Sequence, residues 1–243
     1  MPLRIAMWSG PRNISTAMMR AFENRGDCAV SDEPLYGAWL KHTGAKHPMA
    51  EEVIAAMQTD WRKVVAELTG PVPGGHPIWY QKHMTHHQLP GMLEREWLSK
   101  LVNVFLIRPP EAVVASYLDM RGEVSPKDIG VPQQQALFDF VHELTGTRPP
   151  VIDSEDFLHD PRGHLEVLCN WLGIEFSEHM LHWPAGPRDS DGVWAPHWYA
   201  SVHRSTGFAK PRERTIHLEG KARQVAEQCR PIYEHLRQWR LTV

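Results

Sequence analysis

An apolar run that breaks into a turn and then into a helical pattern lies near the start of the chain. Ile5–Ser9 has the length of a buried strand, Gly10-Pro11 interrupts it, and apolar residues at helical spacing follow from Ser15. Such a strand, turn and helix point unpaired backbone N–H groups at one spot. This favours a phosphate or sulfate site, to which Arg12 adds a permanent cation. An ordinary turn with an N-capping Ser or Asn is the alternative.

The composition restricts the class of protein. The 243 residues, 42% of them hydrophobic, suit one α/β domain over residues 1–243 with a sizeable core. The 26 basic and 29 acidic residues are well mixed, which argues against nucleic-acid partners or a polybasic membrane contact. The three cysteines have neither disulfide nor zinc spacing, and no apolar run reaches the ~18 to 20 residues of a membrane span. We therefore expect a soluble, cytoplasmic protein with small-molecule partners.

Apolar patterning predicts strands that alternate with helices. Strands are expected at Ile5–Ser9, Cys28–Ser31, Pro77–Lys82, Val102–Ile107 and Val151–Ser154. Helices are expected at Ser15–Asn24, Ala50–Leu68, Pro109–Met120, Gln133–Leu144, His164–Leu172 and Gly220–Trp239. This alternation predicts an α/β fold of three layers, in which a central parallel sheet is flanked by helices.

Polar or charged side chains that could bind a ligand or take part in catalysis follow the end of each predicted strand. In chain order they are Ser9–Arg12, Glu33, Lys82, Arg108 and Ser154–Asp156. Parallel strands end at the same edge of a sheet, and ligands of such folds bind outside that edge. We therefore expect these side chains to form one site.

The first loop resembles a known donor-binding loop. It does not fit the Walker pattern, because Thr16 stands in the register of the lysine. It is similar to the loop Pro-[Lys/Arg]-Ser-Gly-Thr-Thr, with which sulfotransferases bind the 5′-phosphosulfate of 3′-phosphoadenosine-5′-phosphosulfate (PAPS). Asn13 and Ile14 depart from that pattern. The resemblance implies that the donor contacts Pro11, Arg12, Asn13, Ile14, Ser15 and Thr16, and that Arg12 also serves catalysis.

Two further stretches resemble the same family. Arg108 ends a strand and Ser116 follows eight positions later in a helix, as in the family's 3′-phosphate motif. A salt-bridged Arg and an ordinary helical Ser are the alternative. The stretch Val151–Phe157, followed by Asp160-Pro161, resembles a Tyr-Glu-Asp motif in which Ser154 replaces the Tyr.

The resemblance covers residues 5 to about 174 and implies a P-loop fold, a bacterial-type relative of the PAPS-dependent sulfotransferases, and PAPS as sulfuryl donor without a metal. C-terminal to that range, a basic loop would close over the nucleotide through Arg204, Ser205, Thr206 and Gly207. This loop belongs to a Trp- and Pro-rich segment around residues 176–215. We interpret that segment as a lid, with plain packing under a long loop as the alternative.

The catalytic base is assigned by chemistry. Sulfuryl transfer to an alcohol requires a group that takes the acceptor's proton and a cation at the leaving group. Lys82 is the cation in this interpretation. The family's Lys-x-His pattern would place the base at Met84, so we assign it to His87, with His86 next in order and His83 third.

Glu33, His83 and His86 are predicted to contact the acceptor. Glu33 would line its pocket or bind an amine; a turn carboxylate is the alternative. The histidines could instead form a hydrogen-bonded or solvated cluster, or a metal site that lacks a Cys or carboxylate to complete it.

Together these features predict transfer of a sulfuryl group from PAPS to a hydroxyl, or an amine, of a small acceptor. Two other functions are kept: a P-loop kinase or NTPase, and a nucleotide-binding protein without catalysis.

Overall fold

The centre of the molecule is a parallel sheet. The computed structural model describes residues 2–89, 95–211 and 215–243. Within them, five strands are arranged in the order β2-β3-β1-β4-β5, and every neighbouring pair is parallel. The strands are β1 (Leu3–Ser9), β2 (Cys28–Asp32), β3 (Ile78–Met84), β4 (Val102–Ile107) and β5 (Val151–Asp153). The first strand therefore lies in the middle, with its carboxyl end between those of β3 and β4.

Helices connect the strands. They are α1 (Ser15–Glu23), α2 (Tyr36–Thr43), α3 (Ala50–Ala56), α4 (Trp61–Leu68), α5 (Pro110–Arg121), α6 (Val131–Thr145), α7 (Ser154–His159), α8 (Pro161–Leu172), α9 (Ala195–Trp198), α10 (Ala200–His203) and α11 (Gly220–Arg237). Short 3₁₀ turns occur at Pro73–Gly75, Thr85–His87, Arg95–Lys100 and Glu178–Met180. Among the helices of the described residues, none has both the length and the apolar character needed to cross a bilayer.

Two hydrophobic cores lie on opposite faces of the sheet. Successive side chains of a strand alternate between faces, so Ala6 and Trp8 pack on one side while Ile5 and Met7 pack on the other. Helices α4, α6 and α11 cover the first face, and α1 and α8 cover the second. The predicted central parallel sheet flanked by helices is thus confirmed.

The helix predicted over Ala50–Leu68 is wrong, because two helices occupy that range. The chain is extended at Met57, with φ −113° and ψ 156°, which ends α3. Asp60 then accepts a hydrogen bond from Arg62 N and caps the start of α4. The apolar spacing continues across this break, although Val53 of α3 packs with Tyr36 and Leu40 whereas Val64 and Leu68 of α4 pack in the core on the first face of the sheet.

The β5–α7 corner holds the C-terminal helix. Asp153, which is buried, accepts hydrogen bonds from Tyr233 Oη and Arg237 Nε, and its Oδ1 caps α7 through Glu155 N. Asp156 accepts one from Arg240 at 2.8 Å. The predicted strand therefore ends one residue early, and Ser154 begins a helix that the sequence patterning missed.

Candidate active site

A cavity of about 340 Å³ opens at the carboxyl ends of the strands. Its wall contains most of the side chains expected at that edge. The predicted residues that line it are Pro11, Arg12, Asn13, Ile14, Ser15, Thr16, Glu33, Lys82, His86, His87, Arg108, Ser116, Ser205 and Gly207. The fold thus brings the first loop, the Arg108–Ser116 pair and the residues after β2 and β3 into one space.

His83, Arg204 and Thr206 do not line this cavity, and neither does Ser154–Asp156, which was expected at the same edge. The assignment of His83 to the site is corrected. His83 belongs to the core on the other face of β3, where its ring stacks on Trp8 at 4.3 Å. Strand alternation explains this, since its neighbour Lys82 faces the cavity. Burial, followed by the charge of Lys82, lowers the pKa of His83 to about 3. Arg204 and Thr206 are exposed, while the alternate residues Ser205 and Gly207 line the cavity.

The β1–α1 loop has an unusual conformation at one residue. Arg12 has φ 59°, in the left-handed region, whereas Ile14 has φ −85°. The position at which the family pattern has Gly therefore does not need a positive φ in this chain. The turn is made at Arg12, which explains how a β-branched residue is accommodated at position 14.

The loop is joined directly to the second motif. Arg12 Nε donates to Ser116 Oγ at 3.0 Å, and Arg108 Nη1 donates to the carbonyl oxygen of Arg12 at 2.5 Å. Burial lowers the pKa of Arg12, partly offset by Asp119; the group stays a cation. Two guanidinium groups and a hydroxyl are therefore gathered at the β1–β4 side of the cavity.

Helix α1 begins at this point with its N-terminus toward the cavity. Ile14 precedes the helix, and among the described residues no side chain caps the first turn. Asn13 holds the loop, since its Nδ2 donates to Leu106 O at 3.2 Å and its Oδ1 accepts from Ile14 N. Ser15 and Thr16 line the cavity. The arrangement provides backbone N–H donors and hydroxyls of the kind that bind anions.

Lys82 is fully engaged in a buried network on the β2–β3 side. Its Nζ donates to Asp32 Oδ1 at 2.7 Å, to Glu33 Oε1 at 2.5 Å and to the Tyr199 hydroxyl at 2.7 Å. An ammonium group has three N–H donors, so all are used. Burial alone would lower the pKa of Lys82, but Asp32 and Glu33 hold it well above the usual value. The side chain is therefore a cation balanced by carboxylates.

Glu33 projects from a strained turn into the cavity. Its φ is 44°, and its backbone N–H donates to Lys82 O at 2.9 Å. Burial raises the pKa of Glu33, and the charge of Lys82 opposes that rise. The second carboxylate oxygen, Oε2, lies 3.8 Å from His87 Nδ1. That separation is too long for a hydrogen bond.

His87 is a buried, neutral imidazole at the cavity wall. It is 2% exposed and stacks on the Tyr36 ring with centroids 4.4 Å apart. Burial lowers the pKa of His87 well below its usual range, and His86 and His47 contribute in the same direction. His86 lies edge-on to His87 at 4.4 Å. The imidazole of His87 is therefore in the base form at neutral pH.

Aromatic residues from the segment around 176–215 cover the cavity; residues 212–214 of it lie outside the described residues. Trp194, Trp198, Tyr199 and Phe208 line the space, whereas Trp183 packs in the core beside α1. Trp194 Nε1 donates to the Tyr199 hydroxyl at 3.1 Å, and that hydroxyl donates to Asp32. The covering segment is thus tied to the same network as Lys82. That it acts as a lid stays a prediction.

Three residues of the site were missed by sequence reasoning: Asp32, Tyr36 and His47. Asp32 stands beside Glu33 at a strand end, so its placement was a usable signal. Tyr36 and His47 border a helix, α2, that the apolar spacing did not indicate. In the part of the chain that the structure describes, no group of His, Cys, Asp or Glu side chains could hold a metal ion.

The chain is similar in sequence to one protein family and to part of two plant proteins. The family described as "Sulfotransferase domain" matches residues 3–237. The plant proteins are the Branched-chain-amino-acid aminotransferase-like proteins 2 and 1 of Arabidopsis thaliana, 36% and 37% identical over 233 and 238 residues. These alignments cover 96% and 97% of the chain, which spans only 41% and 42% of the relatives' length.

Two solved structures share the fold at low sequence identity. The "Sulfotransferase Domain from the Curacin Biosynthetic Pathway" has a TM-score of 0.50 and 17% identity, covering 94% of this chain and 97% of its own. A sulfotransferase from Alicyclobacillus acidocaldarius has a TM-score of 0.51 and 11% identity, covering 74% and 88%. These neighbours confirm the predicted three-layer, P-loop-type α/β fold.

Proposed function

Because this chain belongs to the sulfotransferase domain family, we propose that it transfers a sulfuryl group from PAPS to the hydroxyl, or the amine, of a small acceptor. The strongest support is a single cavity whose two sides carry different chemical groups. Arg12, Arg108 and Ser116 are gathered on one side of it, and Glu33 and His87 on the other. The coarser statement, that the chain is a sulfotransferase-type transferase, follows from the family itself.

The donor side fits an anionic nucleotide that carries phosphate groups. The guanidinium groups of Arg108 and Arg12 can each donate two hydrogen bonds to phosphate oxygens. The Ser116 hydroxyl can donate a further one. The N–H groups of the first turn of α1 would hold the group attached at the 5′ position. PAPS, when bound, supplies the activated sulfuryl group that leaves its phosphate.

The proposed role of His87 is to hold the acceptor's proton. The imidazole is neutral, faces the cavity, and its buried Nδ1 makes no hydrogen bond with the described residues. As the acceptor oxygen bonds to sulfur, its proton would move to His87, while the sulfur–oxygen bond to the donor phosphate breaks. His87→Ala should lower kcat ~10²- to 10⁴-fold and leave nucleotide binding nearly unchanged.

For Lys82 we propose a role other than the catalytic one expected from the sequence. With its three donors on Asp32, Glu33 and Tyr199, it holds these side chains in place. A direct contact with the leaving group would require it to exchange one of these partners. We therefore propose that Lys82 positions Glu33, and that Arg12 is the cation at the sulfuryl group.

Calorimetry tests the proposed donor. Adenosine 3′,5′-bisphosphate (PAP), the product of transfer, should bind without metal, and tighter than ATP with Mg²⁺. Arg108→Ala should weaken the binding of PAP by ~1.5 to 3 kcal/mol, the range for a lost charge-assisted hydrogen bond. The control is Arg223→Ala, which removes an exposed cation paired with Glu227 on α11 and should leave PAP affinity unchanged.

The results separate the alternatives. Tighter binding of ATP would refute the proposal in favour of a P-loop kinase or NTPase. Tight PAP binding without any transfer across a set of hydroxyl and amine compounds would favour a nucleotide-binding protein without catalysis.

A further inference from the structure

We infer that the acceptor carries an ammonium group, bound by Glu33 beside the hydroxyl that faces His87. The inference rests on the proposed function and names the class of acceptor that the β2–β3 side of the cavity selects. Three observations support it: the charge on that side of the cavity, the unmatched acceptor atoms of Glu33 and His87, and the aromatic rings around them.

The first observation is a charge balance. Within the described residues, two carboxylates, Asp32 and Glu33, face one cation, Lys82, at hydrogen-bond distance. The two guanidiniums of the cavity lie instead on the β1–β4 side, where Arg12 contacts Ser116 and Arg108 contacts the Arg12 carbonyl. The β2–β3 side therefore has a net charge of about −1 when these groups are ionised. A bound cation would restore neutrality in a place where a lone carboxylate is poorly solvated.

The second observation concerns hydrogen-bond acceptors that lack donors. Glu33 Oε1 is occupied by Lys82, while Oε2 accepts no hydrogen bond from the described residues. His87 Nδ1 is buried and also makes none with them. The two atoms are 3.8 Å apart. With Nδ1 as the unprotonated ring nitrogen, a ligand with neighbouring N–H and O–H donors would satisfy both atoms, and an ammonium group offers donors only.

The third observation is the surrounding aromatic wall. Tyr36 stacks on His87 and meets Trp194 edge-on at 5.2 Å between ring centroids. Trp198 also lines the cavity. Aromatic faces attract cations and pack against apolar groups, so they suit an ammonium attached to an apolar body. The same surroundings disfavour a carboxylate acceptor, because Glu33 would repel it in a poorly solvated place.

A matched set of small molecules tests the inference in the unmodified protein. Phenylethanolamine, phenyl glycol and mandelate share a phenyl ring and a benzylic hydroxyl, and differ in an ammonium, a hydroxyl or a carboxylate. Each is titrated calorimetrically into protein saturated with PAP, at about pH 7.5, where an ordinary histidine is neutral. We expect phenylethanolamine to bind ~10- to 100-fold tighter than phenyl glycol, the range for a charge-assisted hydrogen bond. Mandelate should bind most weakly.

Glu33→Gln assigns that preference to one residue. The variant should bind phenylethanolamine and phenyl glycol about equally, and its PAP affinity should match the unmodified protein. Glu51→Gln, which changes an exposed glutamate in the first turn of α3, is the control and should keep the preference. If Glu33→Gln does not fold, the comparison of the three ligands in the unmodified protein still decides.

The outcomes distinguish this inference from the function on which it rests. Equal affinity for phenylethanolamine and phenyl glycol, with PAP bound tightly, would overturn the ammonium acceptor and leave sulfuryl transfer standing. Tightest binding of mandelate would overturn it in favour of an anionic acceptor. A preference retained by Glu33→Gln would also overturn it. Failure to bind PAP would refute the proposed function and the inference together.

Discussion

Burial gives His87 a chemistry that its residue type does not reveal. A histidine usually titrates near neutrality, but the closed aromatic surroundings of His87 lower its pKa well below the usual range. The side chain therefore stays unprotonated over the physiological range. Position, more than intrinsic basicity, then decides whether it can serve as the base.

The lowered pKa of His87 predicts a loss of stability in mild acid. Below about pH 6.5 the unfolded chain binds a proton at this residue and the folded chain does not, so the free energy of unfolding falls as pH falls. Each pH unit over which only the unfolded chain is protonated lowers the free energy of unfolding by ~1.4 kcal/mol. His87→Gln, which cannot be protonated, should show a smaller fall than the unmodified protein in denaturant titrations at about pH 6.5 and pH 5.

His42→Gln is the matched control for this measurement. His42 is exposed on α2, so its replacement should leave the pH dependence of unfolding unchanged. An equal fall in His87→Gln and in the unmodified protein would show that His87 becomes protonated in the folded state.

At the scale of elements, the sequence predicted what local signals determine. Strand β4 and helix α5 were found because an unbroken apolar run ends at Arg108 and prolines open the helix that follows. The break between α3 and α4 was missed, because the apolar spacing continues through it. Helix α2 was missed because its Tyr36 and Leu40 are buried by packing against α3, Trp194 and Tyr199, and distant contacts leave no local pattern.

One close approach between elements positions the β1–α1 loop. A Cβ on Gly10 would lie 2.4 Å from the carbonyl oxygen of Ile129, just before α6. Gly10→Ala should therefore displace the loop or the start of α6, with a loss of stability of ~1 to 3 kcal/mol. PAP should bind more weakly as well, since the loop Pro11–Thr16 leads directly into α1. Chemical denaturation and calorimetry measure the two effects.

Gly146→Ala separates these effects. Gly146 ends α6 with φ 68°, and a Cβ added there would meet no atom of the described residues within 4 Å. Alanine at this position therefore strains the backbone without moving the loop. This control should lose stability and retain PAP affinity. Unchanged PAP binding in Gly10→Ala would show that the loop tolerates the added group.

At the scale of the whole molecule, the site depends on contacts that span the sequence. The motifs identified the residues that follow β1 and β4, because each lies within a short stretch. They could not reveal that Lys82 donates a hydrogen bond to Tyr199, which is 117 positions away. Sequence therefore located the β1–β4 side of the cavity well and the β2–β3 side only in part.

The covering segment is held to the rest of the fold by a buried ion pair. Arg20, 1% exposed on α1, is paired with Asp191. Asp191 Oδ2 also accepts a hydrogen bond from Arg188 N at 2.9 Å and lies 3.0 Å from His203 Nε2. The carboxylate of Asp191 thus attaches the segment that carries Ser205 and Gly207 to α1, the helix that follows the β1–α1 loop.

Asp191→Asn tests whether this attachment controls access to the cavity. The change leaves Arg20 buried with Glu23 as its remaining carboxylate, so we expect a loss of ~3 kcal/mol, the lower end for a broken buried pair. Hydrogen exchange should rise over residues 186–207, and PAP should bind more weakly and restore part of the protection. Asp189→Asn, an exposed change in the same segment, should alter neither the hydrogen exchange nor the PAP affinity. Faster exchange with unaltered PAP affinity would mean that the segment covers the cavity without contributing to nucleotide binding.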